Sequence, residues 1–217
     1  MVALGIAISL ITGMDTVPAT MISSLIVIIY TFIGGMWSVT ITDFVQTTFI
    51  IVGLLVVAWV VFPKAGGFFH ILESQPAGFF RIIPEKGTST LGWLEYIAAW
   101  MTLGLGSIPS QDIYQRVMSS KTSNIARNSS LIAGLMYITI GMIPLFLALA
   151  AKAILKEQPE DSQMLLPQLV IQHTSLTVQA LFFGALIAAV MSTASGATVA
   201  PASVISENLI KPRMKRP

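Results

Sequence analysis

Between Leu181 and Ala200 the chain runs for twenty residues without a charge, long enough to cross the hydrocarbon core of a bilayer as a helix. Within lipid every backbone polar group must be satisfied internally, which leaves only a helix or a strand of a closed barrel. Barrel strands alternate polar and apolar residues, and this run does not, so it reads as a helix. Its second half is nonetheless rich in hydroxyls: Ser192, Thr193, Ser195 and Thr198. At helical spacing Ala185, Ala189, Ser192, Thr193, Gly196 and Ala200 share one small, partly polar face. Leu181, Phe182, Leu186, Ile187, Val190 and Met191 point elsewhere. Two readings of the small face are open. Small residues let a second helix come close while hydroxyls bond across the contact, which makes a packing seam. Alternatively, the Ala189 carbonyl and the adjacent hydroxyls of Ser192 and Thr193, one turn on, are three neutral oxygens suited to a hard monovalent cation.

The rest of the chain is of the same kind. It is 54% hydrophobic and 10% charged, with a mean hydropathy of +0.80, where soluble domains carry roughly a quarter charged residues. The class is therefore all-α, a polytopic helical membrane protein. A net charge of +2 is too small to point to nucleic acid, and the lack of cysteine excludes a disulfide framework or a thiolate metal site. Apolar periodicity and breakers place spans at about 16–34, 39–62, 92–118, 129–155 and 176–209, with a partial one at 1–12. That is about five full spans plus a partial one, in a single transmembrane domain over 1–217. Residues 1–12 are too short to cross alone and lack the basic start of a signal peptide. The expectation is a piece of a larger protein.

Three polar features inside or beside these spans are candidates for chemistry. Asp43 is the lone acid of the 39–62 span; it is either a carboxylate stabilised at a helix N-terminus or part of an ion path. The 92–118 span carries Gly104, Gly106 and Pro109, flanked by Ser107 and followed by Ser110, Gln111 and Asp112. A Gly/Pro break at membrane depth frees backbone groups that only protein or a water-filled cavity can satisfy, and such interrupted helices mark transporter binding sites. A plain proline kink is the simpler alternative, but it requires neither the glycines nor the polar residues. His70 and His173 each stand alone in a loop, too few ligands for a metal centre. Basic residues set the sidedness. With the 116–128 connection and the tail after Leu209 in the cytoplasm, the inner side holds seven Lys or Arg and the outer side five, the latter largely offset by acids. Asp43, Ser192 and Thr193 then all lie toward the inner half of the membrane.

Four segments resemble the sodium:solute symporter family, whose fold is the inverted-repeat bundle of the bacterial leucine transporter. They are Tyr30-Thr-Phe-Ile-Gly-Gly-Met-Trp-Ser-Val-Thr-Ile-Thr-Asp-Phe-Val-Gln46, Ser107-Ile-Pro-Ser-Gln-Asp-Ile-Tyr-Gln-Arg-Val-Met-Ser-Ser120, Leu165-Leu-Pro-Gln-Leu-Val170 and Ala188-Ala-Val-Met-Ser-Thr-Ala-Ser-Gly196. The bacterial and choline-transporter-like branch is the most similar. The resemblance implies that the Ala189 carbonyl, Ser192 and Thr193 form half of a sodium site and that Asp43 lies on the inner sodium exit path. It further implies that Gly104, Gly106, Ser107, Pro109, Ser110 and Gln111 line the substrate cavity. Ser110 stands where choline transporters carry an aromatic residue, so the likeness does not extend to an aromatic cage for a quaternary ammonium at that position. The family's other core helices, including the one completing the sodium site, would have to come from the same or another chain.

The expected function is sodium-coupled secondary active symport of a small organic solute by alternating access, in the cell (inner) membrane, with Na+ as the coupling ion. The alternative is a truncated membrane subunit that does not transport and has only a structural or assembly role. An intramembrane enzyme fits least: neither a His-Glu-x-x-His nor a Gly-x-Ser-x-Gly pattern occurs.

Overall fold

The computed structural model describes residues 1–85, 87–106, 108, 110–155 and 157–214. Helices α1 (Val2–Thr12), α2 (Thr16–Val61), α3 (Phe68–Glu73), α4 (Thr90–Gly106), α5 (Gln111–Met118), α6 (Ser123–Thr139), α7 (Ile143–Ile154), α8 (Leu165–His173) and α9 (Leu176–Ile205) follow in order, and no strand occurs among the described residues. The stretches 16–65, 123–154 and 176–210 are each long and apolar enough to cross a membrane. The chain is thus an all-α, multi-pass membrane protein.

The sequence explains how α2 is built. Forty-six residues of straight helix would reach about 69 Å, more than twice the hydrocarbon thickness. Gly35 interrupts it with φ 51° and ψ −148°, a backbone state that a side chain disfavours. The helix turns back there. Tyr30 on one side of the interruption reaches the Met191 carbonyl of α9, and Asp43 on the other side reaches Ser192. Two residues thirteen apart meet neighbouring positions of α9, which a straight helix would hold about 20 Å apart. The halves 16–34 and 36–61 therefore run back to back against α9, and the connection expected at 36–38 narrows to the single residue Gly35.

Small residues set the spacing. A Cβ at Gly5 of α1 would fall 1.8 Å from Thr20 Oγ1, and one at Gly53 of α2 would fall 2.7 Å from the Ala185 Cβ and 3.1 Å from the Leu181 carbonyl of α9. These are close backbone approaches of the kind that small residues permit in lipid. One apolar cluster gathers Val57, Val61, Ile71, Leu147, Leu169 and Phe182; a smaller one joins Leu4, Val27 and Ala194. Phe68 of α3 packs edge-on against Phe146 of α7, with ring centroids 4.8 Å apart. Helix α8 buries Leu169 and Val170.

On α9 the buried surface is wider than the small face read from the sequence. Ala185, Gly196 and Ala200 are buried, but so are Phe182, Ala188, Ala194 and Ser195, whereas Thr193 is exposed. Phe182, placed away from the contact by spacing alone, is buried because α9 is enclosed from more than one side. The 36–61 half of α2 covers one flank, Leu4 and Val27 another, and Phe182 itself joins the cluster shared with α7 and α8.

Candidate cation and solute site

The site grows from the antiparallel contact of α2 with α9. Along α2, Val39, Asp43, Ile50 and Gly53 follow at steps of four, seven and three residues and so share a face. Across from them stand Val199, Ser192, Ala189 and Ala185 in descending order. This register carries Asp43 to the hydroxyl-bearing part of α9. Ser192 Oγ donates to Asp43 Oδ1 at 2.5 Å.

The other carboxylate oxygen is held from α5. Arg116 brings a guanidinium nitrogen to 3.0 Å from Asp43 Oδ2, and its Nε lies 3.1 Å from Asp112 Oδ1, one turn earlier on the same helix. The Asp43 side chain is 15% exposed, against 45% for Arg116 and 41% for Asp112. Two carboxylates facing one guanidinium leave the triad one negative charge in excess, which favours a cation beside it. Gly196 makes room for the group: a Cβ there would sit 2.9 Å from both the Arg116 guanidinium and Asp112 Oδ1. Gln115 adds a tie from α5 to α9, donating to Ser203 Oγ at 3.0 Å.

Two clefts meet at this triad. A cleft of about 200 Å³ is bordered by Met36, Thr40, Asp43, Asp112, Arg116 and Gly196. A larger one of about 550 Å³ is bordered by Ser110, Gln111, Asp112, Arg116, Tyr137, Ser192 and Thr193. Asp112 and Arg116 border both, and the Ser192–Asp43 hydrogen bond links one to the other. Moving the Arg116 side chain would alter the wall between them.

The three oxygens singled out on α9 keep coordinating capacity. Thr193 Oγ1 donates to the Ala189 carbonyl at 3.0 Å, and Ser195 Oγ to the Ser192 carbonyl at 2.9 Å. A carbonyl has a second lone pair, and a hydroxyl that donates its proton still offers two acceptor positions. Because Ser192 gives its proton to a carboxylate, its lone pairs are left for an ion. The Ala189 side chain borders a separate apolar cavity of about 510 Å³, with Ile50, Pro144, Leu166 and Phe182 among its walls.

The structure brings together Asp43, Ser192, Thr193, Ser110 and Gln111. Ser110 stands at the N-cap position of α5 with an extended backbone and Gln111 begins the helix; both border the larger cleft. Gly104 and Gly106 are not in this group: they lie on α4, which has no buried residue, with open space where a Cβ would stand. Ser107 and Pro109 lie outside the described residues. In the sequence Arg116 reads only as a marker of sidedness, and Asp112 only as part of a polar run. The signal that links them is their four-residue spacing on α5, a favourable ion-pair register on a helix. Tyr137 carries no such signal.

The description "Sodium:solute symporter family" belongs to the family profile that matches residues 1–216. The chain is 33% identical to high-affinity choline transporter 1 of Drosophila melanogaster, over 96% of this chain and 34% of that protein. It is 31% identical to the high affinity choline transporter 1 of Homo sapiens, over 95% of this chain and 37% of that one. Sodium/proline symporter 2 of Staphylococcus saprophyticus is 28% identical, over 86% of this chain and 36% of that protein. The chain spans about a third of the length of the curated relatives it matches.

Proposed function

The chain belongs to the sodium:solute symporter family, and from that premise we propose that it carries half of a sodium site and part of the solute cavity of a sodium-coupled secondary active transporter. The family and the relatives are transporters and symporters, not enzymes. The observation that carries the reading is Asp43, a nearly enclosed carboxylate that holds the Ser192 hydroxyl with one oxygen and Arg116 with the other.

In this reading sodium sits against the Ala189 carbonyl, Ser192 and Thr193. Its charge is balanced by the excess negative charge of the Asp43–Arg116–Asp112 triad. Arg116 and sodium compete for Asp43: with the ion at the half-site the guanidinium remains paired, and as the ion leaves inward past Asp43 the pair loosens and reforms behind it. A small organic solute occupies the larger cleft near Ser110, Gln111 and Tyr137, whose mix of hydroxyl, amide and charged groups suits a polar or zwitterionic molecule. Coupling follows only if sodium binds one arrangement better than the other, since a ligand with equal affinity for both shifts nothing. The 116–128 connection and the tail are on the cytoplasmic side of the cell membrane.

The test is the thermal stability of the purified chain in sodium chloride against potassium chloride at equal ionic strength. A ligand that binds only the folded state stabilises it by about 2.7 kcal/mol at one hundred times its Kd. Sodium is expected to raise the melting temperature, and Ser192→Ala and Asp43→Asn to weaken that response about tenfold or more in apparent affinity. An equal melting temperature in both salts would leave the hydroxyl face as a packing seam. Uptake of labelled proline and choline into proteoliposomes under an inward sodium gradient then distinguishes the two cargoes in the relatives' names.

A further inference from the structure

Gln46 lies between Asp43 and Ile50 on the face of α2 turned to α9, three residues after one and four before the other. Its neighbours on that face fix where it stands. Asp43 bonds Ser192, and Ile50 borders the apolar cavity together with Ala189. Antiparallel register therefore sets Gln46 opposite the turn of α9 from Ala189 to Ser192. Its Oε1 is buried and has no hydrogen-bond partner among the described residues.

The surrounding groups do not remedy this. Ser192 gives its proton to Asp43, Thr193 to the Ala189 carbonyl and Ser195 to the Ser192 carbonyl. Thr31 Oγ1 is the other buried side-chain oxygen without a partner among the described residues, but its case differs. A threonine hydroxyl is a donor that can rotate to a carbonyl of its own helix. An amide oxygen is acceptor-only, and in mid-helix the backbone N–H groups are already engaged with carbonyls one turn back. An acceptor of this kind, on a helix face set against the hydroxyl-bearing turn of α9, is suited to a hard cation.

We propose that Gln46 Oε1 is a sodium ligand on the path between the Ala189–Ser192–Thr193 oxygens and Asp43. The proposal rests on the sodium reading given above. Gln46 adds an oxygen from α2 to a set otherwise supplied by α9, so that the ion itself ties the two helices together. It also gives the ion a neutral station before it meets the carboxylate.

The test uses the full chain, purified, with its melting temperature followed as sodium chloride replaces potassium chloride at constant ionic strength. Gln46→Leu removes the oxygen and nearly keeps the volume. It is expected to weaken the apparent sodium affinity about tenfold while leaving the melting temperature in potassium unchanged or higher, because an unpaired buried acceptor has been removed. Gln46→Glu keeps an oxygen at the same reach and is expected to match or exceed the unaltered chain in sodium affinity. A purely structural glutamine would give the reverse pattern: a lower melting temperature in potassium for Gln46→Leu, with sodium affinity intact. That pattern, or weakened sodium affinity in Gln46→Glu, overturns the proposal. Absence of any sodium response in the unaltered chain overturns the sodium reading itself.

Discussion

Asp43 is shared by a neutral donor and a cation, and what each does can be separated by substitution. If Arg116 competes with sodium for the carboxylate, neutralising it favours the ion. Arg116→Gln is expected to raise the apparent sodium affinity roughly fivefold, on the order of 1 kcal/mol for a partly exposed charge. A sodium titration of stability checks this, and weaker sodium binding in Arg116→Gln would show that the arginine supports the site instead. Gly196 gives a second handle. Its Cβ would press on Arg116 and Asp112, so Gly196→Ala is expected to cost about 1 kcal/mol, a few degrees in melting temperature. At this scale much was legible. Asp43 stands out as the lone acid of an apolar span, and Ser192 and Thr193 as adjacent hydroxyls in a charge-free helix. Arg116 was not, because a basic residue just beyond a membrane helix reads equally well as an anchor for sidedness.

Between elements, the turn at Gly35 decides whether both halves of α2 reach α9. A side chain there would be held at φ 51° with ψ −148°, outside even the left-handed helical well, at a cost of about 1–3 kcal/mol. Gly35→Ala is therefore expected to lower the melting temperature clearly. Gly134→Ala on α6 makes the contrast, since its backbone is helical and nothing lies within 4 Å of the added carbon. There the helix-propensity gain, about 0.5–1 kcal/mol, acts alone. Equal melting temperatures for the two variants would mean that the Gly35 backbone relaxes freely. The Gly34–Gly35 pair marked a break in the sequence, but periodicity holds no information on the angle at which a chain resumes. Likewise the wider burial of α9 was not readable from its own face, because Phe182 is covered by residues from α2, α7 and α8 and Ala194 by residues from α1 and α2.

Across the molecule, the class was legible because lipid removes alternatives: long charge-free runs leave only helices. The site as a whole was not, since its parts are far apart in the chain; Asp43 and Ser192 are 149 residues apart. Only packing reveals that α5 lays Arg116 and Asp112 beside that pair. The same packing makes a prediction about motion. Ala197 is exposed one turn beyond Thr193 and borders the larger cleft with Arg116 and Tyr137. If sodium draws α2 and α9 together and favours an arrangement closed toward the inner side, that cleft narrows when the ion binds. The chain contains no cysteine, so Ala197→Cys introduces a single thiol. Its labelling by a membrane-impermeant maleimide is expected to slow about threefold or more in sodium relative to potassium, the modest shift of a near-balanced two-state equilibrium. Met14→Cys, in the turn between α1 and α2 and away from the clefts, should label at the same rate in both salts. Slowing at both positions would report a general effect of the salt. Slowing at neither would mean that sodium, even if bound, leaves this cleft as it is, and symport would then require a moving part elsewhere than between α2, α5 and α9.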